Sequence, residues 1–259
     1  MCLIYCAYEQ HPDYPLILAG NRDEFYERPT APAGYWQDHL DVLGGRDLEQ
    51  GGTWLAINRR GRLATVTNYR SPDETKKDAL SRGAIPAAFL TGETKPEQFI
   101  ESLRPNRLRY NGYNLLIYDN QSLHYYGSVA DLGRELQPGL YGLSNHLLDT
   151  PWPKVEEGKA AFAELLNAPR PEDLFALLGD TTIAADERLP DTGVGAEYAR
   201  LLAPRYIRSP VYGTRASTVF HFHRDGRVRF EERRFEPGGE PAGGDVFTVQ
   251  LTDLAGLPE

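Results

Sequence analysis

The sequence predicts an α+β protein, because strand-like runs occupy both ends of the chain and helical patterns lie between them. β-branched and aromatic residues crowd the first third and the last fifth, whereas the middle carries apolar residues at helical spacing. Sheets packed together with helices outside follow from that order. The 259 residues, 41% hydrophobic and 25% charged, have ordinary globular composition, and a single domain over 1–259 is expected.

Strands are expected over Cys2–Tyr8 and Leu16–Ala19, then over Thr53–Ile57 and Leu63–Asn68. The last two form a hairpin, since Asn58-Arg59-Arg60-Gly61 offers turn chemistry with a glycine free to take positive φ. Ser81 is placed to cap a short helix through Leu90, and Pro96 suits the first position of a helix over Glu97–Leu103. A second hairpin joins Tyr113–Asp119 to Ser122–Gly127 around Asn120-Gln121, and Lys154–Leu166 and Glu172–Leu178 repeat apolar residues as helices do. Strands return over Val211–His223, Arg227–Phe235 and Val246–Leu251, broken by Asp225-Gly226 and by the Gly/Pro-rich stretch Pro237–Gly244.

Composition removes several classes of function. Asp plus Glu total 37 against 28 Lys plus Arg, and a formal charge of −9 opposes the phosphate attraction on which nucleic-acid binding rests. No apolar run approaches the ~20 residues of a membrane span, and the N-terminus lacks the regions of a secretory signal. A cytoplasmic protein with no membrane span and no nucleic-acid partner is expected. Cys2 and Cys6, the only cysteines, would share one face of a strand too far apart to bridge, which excludes a disulfide framework. His221 and His223 also alternate on a strand, but no carboxylate or Cys cluster accompanies them, so no metal site is predicted.

Cys2 carries the most chemistry. Removal of Met1 would leave a cysteine whose own α-amine, titrating near ~7.7–8.0, can take the thiol proton. On position alone Cys2 also reads as the first residue of an apolar strand, where buried cysteines behave as small hydrophobes. Asn21-Arg22-Asp23-Glu24 follows the second strand and displays polar side chains at its end: Arg22 could lower the thiol pKa, and Asp23 could hold the new amine. A solvated turn would have the same composition. Tyr35, Trp36, Trp54 and Trp152 could line an apolar pocket or belong to the core, and the role of His146 is open.

Met1-Cys2-Leu3-Ile4, Asn21 to Phe25, Gly51-Gly52-Thr53-Trp54, Leu143-Ser144-Asn145, Asp149 to Val155, Leu189 to Gly193 and Tyr212-Gly213-Thr214-Arg215 together resemble the NRDE family, also called the transport-and-Golgi-organisation family. The blocks keep their order over nearly the whole chain. A more distant similarity links the chain to N-terminal-nucleophile hydrolases of the bile-salt and penicillin V acylase group. This resemblance implies a four-layer αββα sandwich, with Cys2 as nucleophile, Asp23 beside it, Asn68 and Asn145 at the oxyanion and Arg215 as a late-strand arginine. The acylases carry an arginine three residues before the aspartate, where this chain has Gly20. Arg22 would replace it, starting from the opposite face of an extended segment to Asp23.

Two functions follow as expectations. The first is an N-terminal cysteine hydrolase cleaving an amide or thioester bond of a small acylated or apolar molecule, with no cofactor required. The second, implied by the family's links to haem trafficking and lipid homeostasis, is a carrier of haem or an acyl lipid in the same pocket, with Cys2, Cys6 or a histidine as axial ligand.

Overall fold

Seven consecutive buried residues open the chain as strand β1 (Cys2–Tyr8), and their burial on both faces sets the architecture. A strand covered on both sides reads as a continuous apolar run, as Cys-Leu-Ile-Tyr-Cys-Ala-Tyr does. In the computed structural model, which describes residues 2–71 and 75–252, β1 lies inside a six-stranded sheet. Its order is β10 (Gly139–Leu143), β1, β2 (Leu16–Phe25), β11 (Tyr212–Phe222), β12 (Arg227–Glu236) and β13 (Glu240–Gln250). A seven-stranded sheet runs in chain order through β3 (Thr30–Tyr35), β4 (Val42–Asp47), β5 (Leu55–Asn58), β6 (Leu63–Asn68), β7 (Tyr113–Tyr118), β8 (Leu123–Gly127) and β9 (Leu132–Glu135).

Three apolar layers separate four structural ones. Even-numbered residues of β1, with Leu16, Leu18, Phe220 and Phe222, meet Leu55, Ile57, Leu63 and Leu116 between the sheets. Odd-numbered residues Leu3, Tyr5 and Ala7 face the helices α3 (Pro153–Leu165) and α4 (Pro171–Leu178) through Val155, Phe162 and Leu174. The outer face of the other sheet, through Ala56, Ala64 and Ile117, takes α1 (Ala84–Thr91) and α2 (Pro96–Leu103) through Phe89 and Phe99. The result is the αββα sandwich. Proline occupies the first turn of α2, α3 and α4, where its missing N–H costs no helical bond. A short helix, α5 (Ala196–Leu201), completes the set, and among the described residues no helix is long and apolar enough to cross a membrane.

Both expected hairpins form, with Gly61 at φ 79° and Asn120 at φ 74° supplying the left-handed turn positions. Cys2 and Cys6 are free and buried in the same inter-sheet layer. Several boundaries differ. The helix expected from Ser81 begins at Ala84 behind Gly83 with no side-chain cap, and the strand expected over Thr53–Ile57 is Leu55–Asn58. The Gly/Pro-rich stretch is a break only over Pro237–Gly239, because from Glu240 the chain pairs with β12 as an edge strand, where Pro241 and its neighbouring glycines are tolerated. Asn21 to Glu24 form no turn: they continue β2, held by β1 on one side and β11 on the other.

Contact between α3 and β1 is close enough to require glycine. A Cβ on Gly158 would fall 1.8 Å from the Tyr5 hydroxyl, which itself donates to the Lys154 carbonyl at 2.5 Å. Gly158→Ala should therefore cost about 2–3 kcal/mol through overpacking, lowering the melting temperature by about 5–10 °C. A variant melting within a degree of the parent would show that α3 does not sit against Tyr5 as described.

Candidate active site

The apolar filling between the sheets stops where β1 begins. Cys2 lies opposite Arg22 in the β1–β2 register, so the two side chains leave the same face of the sheet as neighbours. Both line a cavity of about 270 Å³ with Asp23, Glu24, Trp54, Asn68 and Arg82, while Arg28, Arg46, Asp47 and Glu49 form its outer wall. Cys2 is 7% exposed, and burial raises its thiol pKa; the Asp23 carboxylate adds to that rise and the Arg22 guanidinium opposes it. A resting thiolate is therefore disfavoured.

Asp23 is fixed from the helix side of the sheet. Thr214 Oγ1 donates to its Oδ1 at 2.8 Å, and the Tyr212 hydroxyl donates to its main-chain carbonyl at 3.1 Å. Burial raises the Asp23 pKa, and Lys154 works against that rise. Lys154 is itself buried, with Nζ donating to the Leu202 carbonyl at 2.9 Å. Burial brings its pKa down to about 8, and the Asp23 carboxylate limits the fall. Arg70, whose guanidinium lies 4.8 Å from the Trp152 ring centre, is lowered to about 10 by burial, with Tyr212 and Asp23 opposing.

The asparagines divide their work. Asn68 ends β6 and lines the cavity, whereas Asn145 is fully buried and is not among the lining residues. The Asn145 amide donates to the Asn68 carbonyl at 3.0 Å, and its own carbonyl accepts from the Arg70 N–H at 2.7 Å. Ser144 Oγ donates to the Cys2 carbonyl at 3.3 Å, while Thr67 Oγ1 donates to the Ser144 carbonyl at 2.7 Å. This latch ties the strand that bears Cys2 to the strand that bears Asn68.

Arg215 stands at a break in the β2–β11 register. Its guanidinium donates to the carbonyls of Phe25 and Arg28 and to Thr30 Oγ1, which pins the turn between β2 and β3. It lines a second cavity of about 250 Å³ whose wall shares Arg22, Thr30, Gly45 and Trp54 with the first. Of the residues the sequence singled out, Cys2, Arg22, Asp23 and Asn68 thus meet around one cavity, and Asn145 and Arg215 support its frame. Met1 lies outside the described residues.

Sequence reasoning passed over Lys154, Arg70, Arg82, Tyr212 and Thr214. Lys154, Tyr212 and Thr214 sit inside blocks that carried the family resemblance, and that was the available signal; Arg70 and Arg82 had none. His146 bonds the Tyr69 hydroxyl at 2.7 Å and Thr150 Oγ1 at 2.8 Å, away from the cavity wall. His221 donates to the Pro169 carbonyl and His223 pairs with Asp225, so these two serve separate local structures. Glu97, His124 and Glu135 bring one ligand atom each within 4.8 Å of the others at a distant sheet edge.

A family model described as Transport and Golgi organisation 2 matches residues 1–237. Transport and Golgi organization protein 2 homolog of Bos taurus is 40% identical over 276 residues, covering 97% of this chain and 99% of its own length. The Homo sapiens homolog is 38% identical over 256 residues, covering 90% of this chain and 92% of its own, and the Drosophila melanogaster protein is 28% identical over 277 residues. Among solved structures, the mutant C2A conjugated bile acid hydrolase from Clostridium perfringens superposes with a TM-score of 0.51 at 10% identity, covering 100% of this chain and 95% of that one. The likeness at that identity is one of fold.

The buried Lys154–Asp23 arrangement has a measurable consequence. In a ¹³C-lysine NMR titration the Lys154 side chain should change charge near pH 8, well below the exposed lysines. Asp23→Asn removes the carboxylate that favours the ammonium, so the midpoint should fall further. A Lys154 midpoint above 10, or one that Asp23→Asn raises, would contradict this geometry.

Proposed function

The chain belongs to the Transport and Golgi organisation 2 family, and from that premise we propose that it is an N-terminal cysteine hydrolase acting on an amide or thioester bond of a small acylated molecule. The observation that carries the reading is the meeting of Cys2, Asp23 and Asn68 at one cavity on an αββα sandwich, the fold it has in common with a conjugated bile acid hydrolase.

Removal of Met1 frees the Cys2 α-amine, and Asp23, whose charge acts on Cys2, would orient it. The thiol attacks the substrate carbonyl as its proton passes to the amine, forming the C–S bond. The carbonyl electrons move onto oxygen, where the Asn68 amide, one of several side-chain donors that line the cavity, would donate to it. Collapse breaks the C–N or C–S bond of the substrate, and the amine proton leaves with the departing group. Water then attacks the acyl-cysteine, giving its proton to the amine, and the acid and the thiol are released. Burial that raises the thiol pKa suits this path, because the proton is removed during attack rather than beforehand.

The carrier alternative draws less support from the cavity wall. Eight of its side chains are charged, none is histidine, and Cys6 is sealed between the sheets at 1% exposure, which leaves Cys2 as the single candidate axial ligand there.

Intact mass of the untagged protein should show loss of Met1. Cys2→Ala should then abolish turnover of an acyl-amide or acyl-thioester panel with the fold intact by circular dichroism. Asn68→Ala should lower the rate by about 10²–10³. Retention of Met1, or turnover that survives Cys2→Ala, would defeat the proposal.

A further inference from the structure

The arginines around Cys2 are not equally committed. Arg28 is held by Asp47 at 2.6 Å and Glu49 at 3.3 Å, and Arg46 by Asp38 at 2.6 Å. Arg82 spends one N–H on the Gly112 carbonyl at 3.2 Å and has no acid within ion-pair distance among the described residues. Arg22 is 7% exposed, yet among the described residues its guanidinium has neither a hydrogen bond nor an ion pair. None of its nitrogens is among the buried side-chain atoms that lack a partner, so the fork opens to the cavity, and its planar geometry matches a carboxylate.

We infer that Arg22, with Arg82, forms a carboxylate-binding subsite beside Cys2, so that the substrate carries a carboxylate close to its scissile carbonyl. This rests on the reading of Cys2 as nucleophile. Arg22 is the neighbour of Cys2 across the β1–β2 register and stands in the wall between the two cavities, where it can reach a group bound next to the thiol. Asp23 leaves the opposite sheet face and is offset by Lys154, and Arg215 commits its Nη1 to the turn between β2 and β3 and lines the second cavity, not the one that holds Cys2. Glu24 forms no ion pair among the described residues, its Oε1 accepting the Phe25 N–H at 2.9 Å, although its field acts on Arg82. Two uncommitted guanidiniums against one such carboxylate suit a singly charged acid and disfavour a phosphate dianion.

Iodoacetate and iodoacetamide form a matched pair of probes, because both alkylate the same thiolate and differ in charge. Their rates at Cys2 would be followed by mass spectrometry with peptide mapping on the full chain in low salt, each divided by the rate with 2-mercaptoethanol. A change in thiol pKa cancels in the ratio, so a merely structural or activating role for Arg22 leaves it unmoved. The normalised preference for iodoacetate should be about tenfold, of the order expected from a nearby opposite charge, and should shrink as salt is added. Arg22→Gln should bring it close to unity, Arg82→Gln should lower it in part, and Arg22→Lys should retain most of it. If Arg22→Gln does not fold, the other two variants decide. A ratio near unity in the parent, a ratio unchanged by the substitutions, or failure of both probes to reach Cys2 would overturn the subsite. Loss of the hydrolase reading would appear separately, as turnover surviving Cys2→Ala while the alkylation preference persists.

Discussion

Double-faced burial of β1 and β2 is the constraint from which the rest of the structure follows. Leu3, Tyr5, Ala7, Ile17 and Ala19 are sealed by helices, while Ile4, Cys6, Leu16 and Leu18 are sealed by the second sheet. A strand enclosed in this way has no room for a charge along its length, because an unpaired buried ion costs several kcal/mol or changes its protonation state. Charge can enter only where the sandwich opens. The register puts Cys2, Arg22 and Asp23 at that opening, so the layer packing that defines the fold also concentrates its chemistry at one end of two strands.

The opening would be loose if each sheet ended independently. Instead, buried polar side chains bridge the two sheets directly behind it: Thr67 to Ser144, Asn145 to Asn68, and Asn114 to the His146 carbonyl at 2.9 Å, with Ser144 continuing to Cys2 beside the paired β1 and β10 and the Tyr125 hydroxyl donating to Asn114 Oδ1 at 2.7 Å. Fully satisfied buried networks of this kind specify a single arrangement, since breaking one member leaves its partner unsolvated. Asn145 acts here through Asn68 and Cys2, whose strand ends it fixes relative to one another.

How much of this was legible in the sequence depends on where the determining contacts lie. The hairpins around Gly61 and Asn120 and the helices behind Pro96 and Pro171 rest on local chemistry and were readable. β3 and β4 were not, because Thr-Ala-Pro-Ala-Gly-Tyr and Val-Leu-Gly-Gly-Arg-Asp look like loop until the neighbouring strands pair with them. The tetrad from Asn21 to Glu24 resembled a solvated turn for the same reason: its polar pattern is local, whereas the strands that hold it extended begin at residues 2 and 212. Cys2 and Asp23 were legible from the chemistry of a cysteine behind Met1 and an acid that could hold its amine, whereas Asn68 and Asn145 were found through resemblance. Arg70 and Lys154 acquire their altered acidity from burial beside Asp23, and burial has no sequence signature at those positions.

Proton economy at Cys2 joins these points. The cavity gives the thiol desolvation and a neighbouring carboxylate, both of which keep it protonated, against the opposing field of Arg22. If Arg22 served chiefly to store a thiolate, burial of Cys2 would work against it. Arg22 and Arg82, which have no acid partner among the described residues, would instead gain most if, as proposed, a carboxylate enters, displaces water and brings the scissile carbonyl to a thiol that still holds its proton. Occupation of that subsite would then strengthen the interaction of the guanidiniums with the bound acid and weaken their pull on the thiol. In the proposed reaction, proton removal falls to the α-amine, a base that exists only after residue 1 has been removed. On the proposed reading, substrate recognition and nucleophile activation thereby fall to different groups of adjacent residues, Arg22 on one face of β2 and Asp23 on the other.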